Sequence, residues 1–223
     1  IHVNEEAAIQ NTTINRTTIN NPNGHGIYIN PIYWHPAINT TINRTTINNA
    51  HNDAIYINMA RTDSQNITIN NTTINGTTGN GATIQARGTI NITNNNQTIQ
   101  NNTGWGLYLT GYGTTTTTFQ NNHITNNGNG IRLENIYGLT INNTNNNIHD
   151  NGGINYQLIN CDNTTLENLQ FNNNIRTYTH AIHATSCDNL ILKNLYINNS
   201  NNAAILIDNG GYATSIGVTL QHI

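Results

Sequence analysis

The chain has 223 residues, room for one large all-β domain and little for two. Only 8 % of them are charged and the net charge is −3, so there is no basic face to meet nucleic acid. No stretch approaches the roughly 18 apolar residues of a membrane-spanning helix, and 2 cysteines make no disulfide framework.

Asn (50), Thr (35) and Ile (34) together exceed half the chain, a bias that could signal disordered low complexity. The regular Ile spacing argues for a folded repeat instead. The eleven residues from Asn11 to Asn21 recur unchanged from Asn39 to Asn49, a looser copy begins at Asn66, and degenerate copies continue to the end. In chain order, a first strand C is expected at Ile1, then strand A at Ile14, strand B at Ile19 and strand C again at Ile27. The cycle repeats with A centres at Ile42, Ile69, Ile92, Phe119, Ile141, Leu166, Leu192 and Val218. The B centres follow at Ile47, Ile74, Ile99, Ile124, Ile148, Phe171, Ile197 and Ile223. The C centres follow at Ile55, Ala82, Leu107, Ile131, Ile154, Ile182 and Ile205. Side chains two apart share a face, so each short strand points one alternate set inward. One coil cannot bury its apolar residues alone, whereas stacked coils share a continuous core. The spacing predicts one all-β domain over residues 1–223: a single-stranded right-handed parallel β-helix of about nine coils.

Polar columns accompany the apolar ones. Two positions beyond the B centres stand Asn21, Asn49, Gly76, Asn101, Asn126, Asp150, Asn173 and Asn199, expected to form a structural ladder at a bend. A second column precedes the A centres and includes Asn11, Asn39, Asn66 and Thr89. Amide side chains tolerate left-handed backbone and can bond a neighbour one coil away, about 4.8 Å off. The position before strand C is Gly or Ala throughout (Gly153 in the seventh coil), as a tight corner requires.

The pattern Asn-x-x-Ile-x-Asn-x-x-Ile-x-Asn-Asn followed by Gly-Ile-x-Ile resembles the parallel β-helix repeat of the pectin-lyase-like superfamily. It is closest to the Asn-rich NosD-type and carbohydrate-binding repeats of surface proteins. That resemblance implies the fold; the architecture hosts lyases, hydrolases, epimerases, tailspikes, adhesins and spacers.

The best catalytic constellation lies on strand C of the later coils. Arg132 and His183 fall in one outward column, Glu134 and Asp208 in the column two further on, and His180 nearby. Glu134 and Asp208 are three coils apart, about 14 Å, against the roughly 5 to 10 Å of paired glycosidase carboxylates. The acidic calcium site and arginine that the resemblance would supply for a pectate lyase have no counterpart. No His pair has zinc-site spacing, and neither a metal nor a cofactor is expected. Cys161 and Cys187 share a core-facing column and read as free buried thiols.

The outward column of strand C carries Tyr28, Tyr56 and Tyr108, with Trp105 beside it and Tyr33 and Trp34 in the loop between Pro31 and Pro36. Such a ladder suits sugar rings or a partner surface, although outward Tyr also simply favours strands. Thr columns run beside strand A (Thr13, Thr41, Thr68) and strand B (Thr18, Thr46, Thr73, Thr98). Regular Thr arrays occur on ice-binding solenoids, but these columns are expected to decay after four coils, with Arg16 and Arg44 intruding. Asn-x-Ser/Thr acceptors number 14, a modest excess, with the ladder asparagines expected to be inaccessible.

The chain begins on strand C at Ile1 and Val3 and is expected to stop on strand B, with Val218 and Ile223 in the last coil. Uncapped terminal coils are templates for edge pairing. The expectation is therefore an extracellular, cell-surface structural solenoid that stacks head to tail on itself into a fibre, stalk or layer. The competing expectations are a carbohydrate-active enzyme and a sugar-binding tailspike or adhesin.

Overall fold

The computed structural model describes residues 1–3, 11–30, 38–59, 64–87, 89–142, 146–174, 180–200, 203–208 and 218–221. Among them there is no helix; every element is a strand, and strands pair in parallel with their counterparts one coil away. The chain is a parallel β-solenoid. On side C nine strands stand in succession from His2–Val3 to Ile205–Asp208. Side B is one sheet for six strands, from Thr18–Asn20 to Asn147–His149, and resumes as the pair Gln170–Asn174 and Tyr196–Ser200. Side A breaks likewise, and its last four strands form a sheet of their own. Nine strands stack on side C, whereas the unbroken sheet of side B spans about six turns.

The core follows from the Ile alternation. Ile27, Ile29, Ile55 and Ile57 on side C, Ile42 and Ile69 on side A, and Ile47, Ile74, Ile99 and Ile124 on side B are all buried. Each such side chain contributes about 1.5–3 kcal/mol of transfer free energy, so a polar residue at any of them breaks the stack locally.

Corners are made by left-handed residues. Asn21, Asn49, Asn101, Asn126 and Asp150 have φ between 50° and 58°, and Gly76 in the same column has 72°, which confirms the bend expected after strand B. Asn173 and Asn199 differ: they lie inside the strands Gln170–Asn174 and Tyr196–Ser200. A second left-handed column, between sides A and B, comprises Arg16, Arg44, Asn71, Asn96 and Asn121. The corner before side C is tight. A Cβ on Gly106 would sit 2.4 Å from Cγ2 of Ile124 and 3.1 Å from the oxygen of Gly130.

Three register expectations are corrected. On side A, Ile69 is followed by Asn94 and then Phe119, so Ile92 stands beside Ile67 instead, and Asn91 rather than Thr89 continues the column of Asn66. On side C, Tyr156 takes the place opposite Ile131 that Ile154 was expected to fill. Asn155 rather than Gly153 then occupies the corner, fully buried and accepting a bond from Nδ2 of Asn151 at 3.0 Å. In the last coil Val218 pairs with Leu190 and Leu220 with Leu192, so Val218 is not the A centre. Ile223 lies outside the described residues. In each case the coil length varies by two residues, which preserves the alternation and so hides the shift.

The asparagines form two kinds of ladder. The outer kind was expected at the bends: Nδ2 of Asn49 donates to Oδ1 of Asn21 at 3.0 Å, and Nδ2 of Asn39 to Oδ1 of Asn11 at 3.0 Å. These pairs are exposed, as are the acceptor-sequence residues Asn11, Asn39, Asn66, Asn71, Asn96 and Asn163, contrary to the expected inaccessibility. The inner kind is buried. Oδ1 of Asn102 accepts from the backbone N–H of Thr77 at 2.9 Å, and Oδ1 of Asn127 from that of Asn102 at 3.1 Å. Oδ1 of Asn151 accepts from the N–H of Asn127 at 3.1 Å. In the doublets Asn101-Asn102 and Asn126-Asn127 the first residue takes the left-handed bend and the second is buried, whereas in Asn20-Asn21 and Asn48-Asn49 it is the second that takes the bend and is exposed.

Candidate functional site on side C

The outward column of side C runs His2, Tyr28, Tyr56, Thr83, Tyr108, Arg132, Gln157, His183, Leu206 in register. Because side chains alternate, the column two residues on carries Thr110, Glu134, Ile159, Thr185 and Asp208. The expected columns for Arg132 with His183 and for Glu134 with Asp208 are therefore as placed. Gln157 was hidden by the two-residue slip at Ile154.

These residues form two separate sets. In the first, Oε2 of Glu134 accepts from the Tyr108 hydroxyl at 2.6 Å and from Nη2 of Arg132 at 2.9 Å. Nη1 of Arg132 donates to Gln157 at 3.2 Å, and its guanidinium lies 5.2 Å over the Tyr108 ring. Burial pushes the Glu134 carboxyl up, but the Tyr108 and Arg132 hydrogen bonds and the Arg132 charge outweigh it, so the carboxyl titrates below its ordinary value. Burial, then the bond to Glu134, pushes the Tyr108 hydroxyl up. Tyr108 and Glu134 line a shallow groove of about 270 Å³ with Gln85, Thr110 and Asn135.

In the second set, Nε2 of His183 lies 3.0 Å from Oδ2 of Asp208 and 3.2 Å from Oγ1 of Thr185. His180 has its ring 5.9 Å from that of His183, and its Nδ1 faces the oxygen of Ala203 at 2.8 Å. Three coils separate Glu134 from Asp208, as expected. A carboxylate held charged by an arginine cannot serve as a general acid near neutrality, and the second acid is too far to complete a pair.

The aromatic ladder is partly realised. Tyr28 and Tyr56 stack at 5.4 Å and 7°, and His25, not singled out from the sequence, lies 5.4 Å from Tyr28 and 4.9 Å from Tyr56. His2 meets Tyr28 edge-on at 4.6 Å. Tyr56 donates to Oε1 of Gln85 at 3.2 Å; burial, then Tyr28 and Asp53, push its hydroxyl up. Trp105 is half-buried and paired with Asn129. Thr83 interrupts the ladder between Tyr56 and Tyr108. Tyr33 and Trp34 lie outside the described residues.

Cys161 and Cys187 are free and buried, and the backbone N–H of Cys161 points at Sγ of Cys187 at 3.3 Å. The hydrogen bond with Cys187 and burial push the Cys161 thiol up, so it is a poor nucleophile. No group of three or more His, Cys, Asp or Glu poised to hold a metal occurs among the described residues.

Comparison with known protein families, curated proteins and solved structures finds no match. Of the resemblance drawn from the sequence, the structure bears out the parallel β-solenoid fold.

Proposed function

We propose that the chain is a non-catalytic structural solenoid of an extracellular or cell surface, assembling with further copies of itself into a fibre, stalk or layer. The observation that carries this reading is the outer ladder. The same amide-to-amide bond is repeated from Asn11 to Asn39 to Asn66, and again from Asn15 to Asn43 and from Asn20 to Asn48. Residues spent on coil-to-coil bonding give a stiff rod. The proposed assembly partner is a second copy, head to tail. Contacts between unlike surfaces, as in a head-to-tail pairing, propagate into open filaments unless rotation closes a ring. Electron microscopy and scattering at micromolar concentration test it. Rods that lengthen with concentration are expected, and a strictly monomeric species would sink the idea.

A second reading, carbohydrate binding on side C, is favoured by the His25, Tyr28 and Tyr56 stack, whose planar rings present apolar faces with polar edges. Titration with oligosaccharides followed by tyrosine fluorescence separates it from the first, because a Tyr28→Ala change would abolish binding and leave rods intact.

A further inference from the structure

We propose that Asn23 is a self-modification site, where the folded chain converts an asparagine to aspartate and isoaspartate. The inference depends neither on assembly nor on sugar binding. In an Asn-Gly pair the glycine has no Cβ to shield its backbone nitrogen. Once that nitrogen has given its proton to hydroxide, it attacks Cγ of the asparagine. A C–N bond forms, the Cγ–Nδ2 bond breaks, and Nδ2 takes a proton from water and leaves as ammonia. Water then opens the cyclic imide. Cleavage at the side-chain carbonyl gives aspartate, and cleavage at the main-chain carbonyl gives isoaspartate. Asparagine and water become a carboxylic acid and ammonia, with no oxidant or reductant. The reaction needs a glycine N–H that is unbonded and an amide that is able to turn.

The chain holds seven Asn-Gly pairs, and all but Asn209-Gly210 lie within the described residues. In five of these six the stacked coils deny both needs. The N–H of Gly76 donates to the oxygen of Gln100 at 3.1 Å, that of Gly81 to Trp105 at 2.8 Å and that of Gly128 to Asn102 at 2.8 Å. Gly130 donates to Ile154 at 2.9 Å and Gly152 to Asn127 at 2.7 Å. The amides before them are tied as well. Oδ1 of Asn75 accepts from Nδ2 of Asn101 at 2.7 Å, and Oδ1 of Asn80 from the N–H of Trp105 at 2.7 Å. Oδ1 of Asn129 accepts from the N–H of Ile154 at 3.0 Å. Asn127 and Asn151 are buried members of the inner ladder. Such pairs react only when a coil opens locally.

Asn23-Gly24 has neither restraint. It stands in the turn between the strands Thr18–Asn20 and Ile27–Ile29, and Asn23 is exposed. Among the described residues neither its amide nor the Gly24 N–H makes a hydrogen bond. The Gly24 carbonyl accepts from the N–H of Asn52 at 3.2 Å, which anchors the turn without occupying the nitrogen. Space differs in the same sense. A Cβ on Gly24 would meet nothing nearer than Nδ2 of Asn52 at 4.0 Å, whereas one on Gly81, Gly128 or Gly130 would overlap backbone of an adjacent coil. Gly24 also lines a groove of about 330 Å³ with Ile1, His2, His25 and Tyr28. Conversion therefore puts a negative charge next to a residue of that groove and spares the ladder asparagines.

The experiment holds the full chain folded at mildly alkaline pH, digests samples with trypsin and reads each peptide by mass spectrometry. Arg16 and Arg44 bracket Asn23, so it is released with no other Asn-Gly pair. Asn23 is expected to convert first. Asn75, Asn80, Asn127, Asn129 and Asn151 must each give up two hydrogen bonds and should be slower by about tenfold or more. In urea the coil-to-coil bonds are gone and the difference should collapse. Gly24→Ala, whose Cβ has room, should slow conversion at Asn23 while circular dichroism shows an unchanged β-signal. The urea comparison needs the parent chain alone, so it stands even if that variant does not fold. Conversion of any of the five at the rate of Asn23 in the folded chain overturns the proposal. So does an Asn23 that keeps its amide in the folded chain and loses it in urea.

Discussion

Oδ1 of Asn127 accepts two hydrogen bonds from Asn102 in the preceding coil, one from its backbone N–H at 3.1 Å and one from its Nδ2 at 2.9 Å. Nδ2 of Asn127 in turn donates to the oxygen of Ile99 at 3.0 Å. Both asparagines are 2 % exposed, so water has no route to replace these bonds. Asn127→Ala strands several polar groups at once, each costing about 1–3 kcal/mol, and should lower unfolding free energy by about 3 kcal/mol or more in urea titration. Asn49→Ala is the contrast. Its partner, Oδ1 of Asn21, is exposed and stays solvated, leaving the left-handed backbone at φ 54° as the main cost. A loss of about 1 kcal/mol is expected for Ala there, with Asn49→Gly close to the parent. Equal losses at positions 127 and 49 would show that burial does not separate the two ladders.

Asn94 stands in an apolar column between Ile69 and Phe119 and is 2 % exposed, and neither atom of its amide has a hydrogen-bond partner. Burying an amide without a bond is unfavourable by about 1–3 kcal/mol on mutational scales. Asn94→Ile restores the column type and should raise thermal stability. The backbone oxygen of residue 94, which accepts from Nδ2 of Asn122 at 2.7 Å, is untouched. A lower melting temperature would mean that the amide holds a buried water or another group worth more than its own desolvation.

Tyr156 is fully buried edge-on to Phe171, with ring centroids 5.7 Å apart, and its hydroxyl has no partner. Burial pushes its ionisation well above the ordinary tyrosine value. The sign follows from the neutral form being favoured in the folded chain. Its contribution is unaffected while the unfolded chain is also neutral, and stability is lost as pH rises above the ordinary value of about 10. Tyr156→Phe should therefore be as stable as the parent or more so at pH 7, and should lose less stability between pH 9 and 11. Identical alkaline profiles for the two chains would contradict this.

What could be read from the sequence depended on alternation. The Ile columns of the first coils and the left-handed bends at Asn21 and Asn49 follow directly from the repeated eleven residues, because inward position and bend position are both set by local spacing. Slips of two residues were invisible, since a shift by two returns every side chain to the same face. That is why Asn94 and Tyr156 were missed as core residues, and with Tyr156 the place of Gln157 beneath Arg132. The inner ladder was present in the Asn101-Asn102 and Asn126-Asn127 doublets, but nothing in composition says which member of a doublet points inward. On side C the columns of Arg132, Glu134, His183 and Asp208 were legible. The division into two bonded sets was not, because it rests on Tyr108 reaching Glu134 and Asp208 reaching His183 along the coil axis.

Glu134 gives a pH test of that first set. Its folded carboxyl titrates below the ordinary value of 4.5 once the Tyr108 and Arg132 bonds have overcome the upward push of burial. A depressed carboxyl stabilises the fold fully at pH above the unfolded value, and that contribution is lost as pH falls through the folded one. The ion pair is about a quarter exposed on each side, so solvent screening limits its worth to about 1 kcal/mol or less. Glu134→Gln keeps the shape and removes the charge. It should lower stability modestly at pH 7, and the difference from the parent should shrink as pH drops below 4.5. Urea unfolding of both chains across that range measures it. The same variant bears on chemistry, because a carboxylate held charged by Arg132 has no proton to donate. Glu134→Gln should therefore produce no change in polysaccharide turnover. Product release by the parent that disappears in this variant would make side C an active site and displace the structural reading.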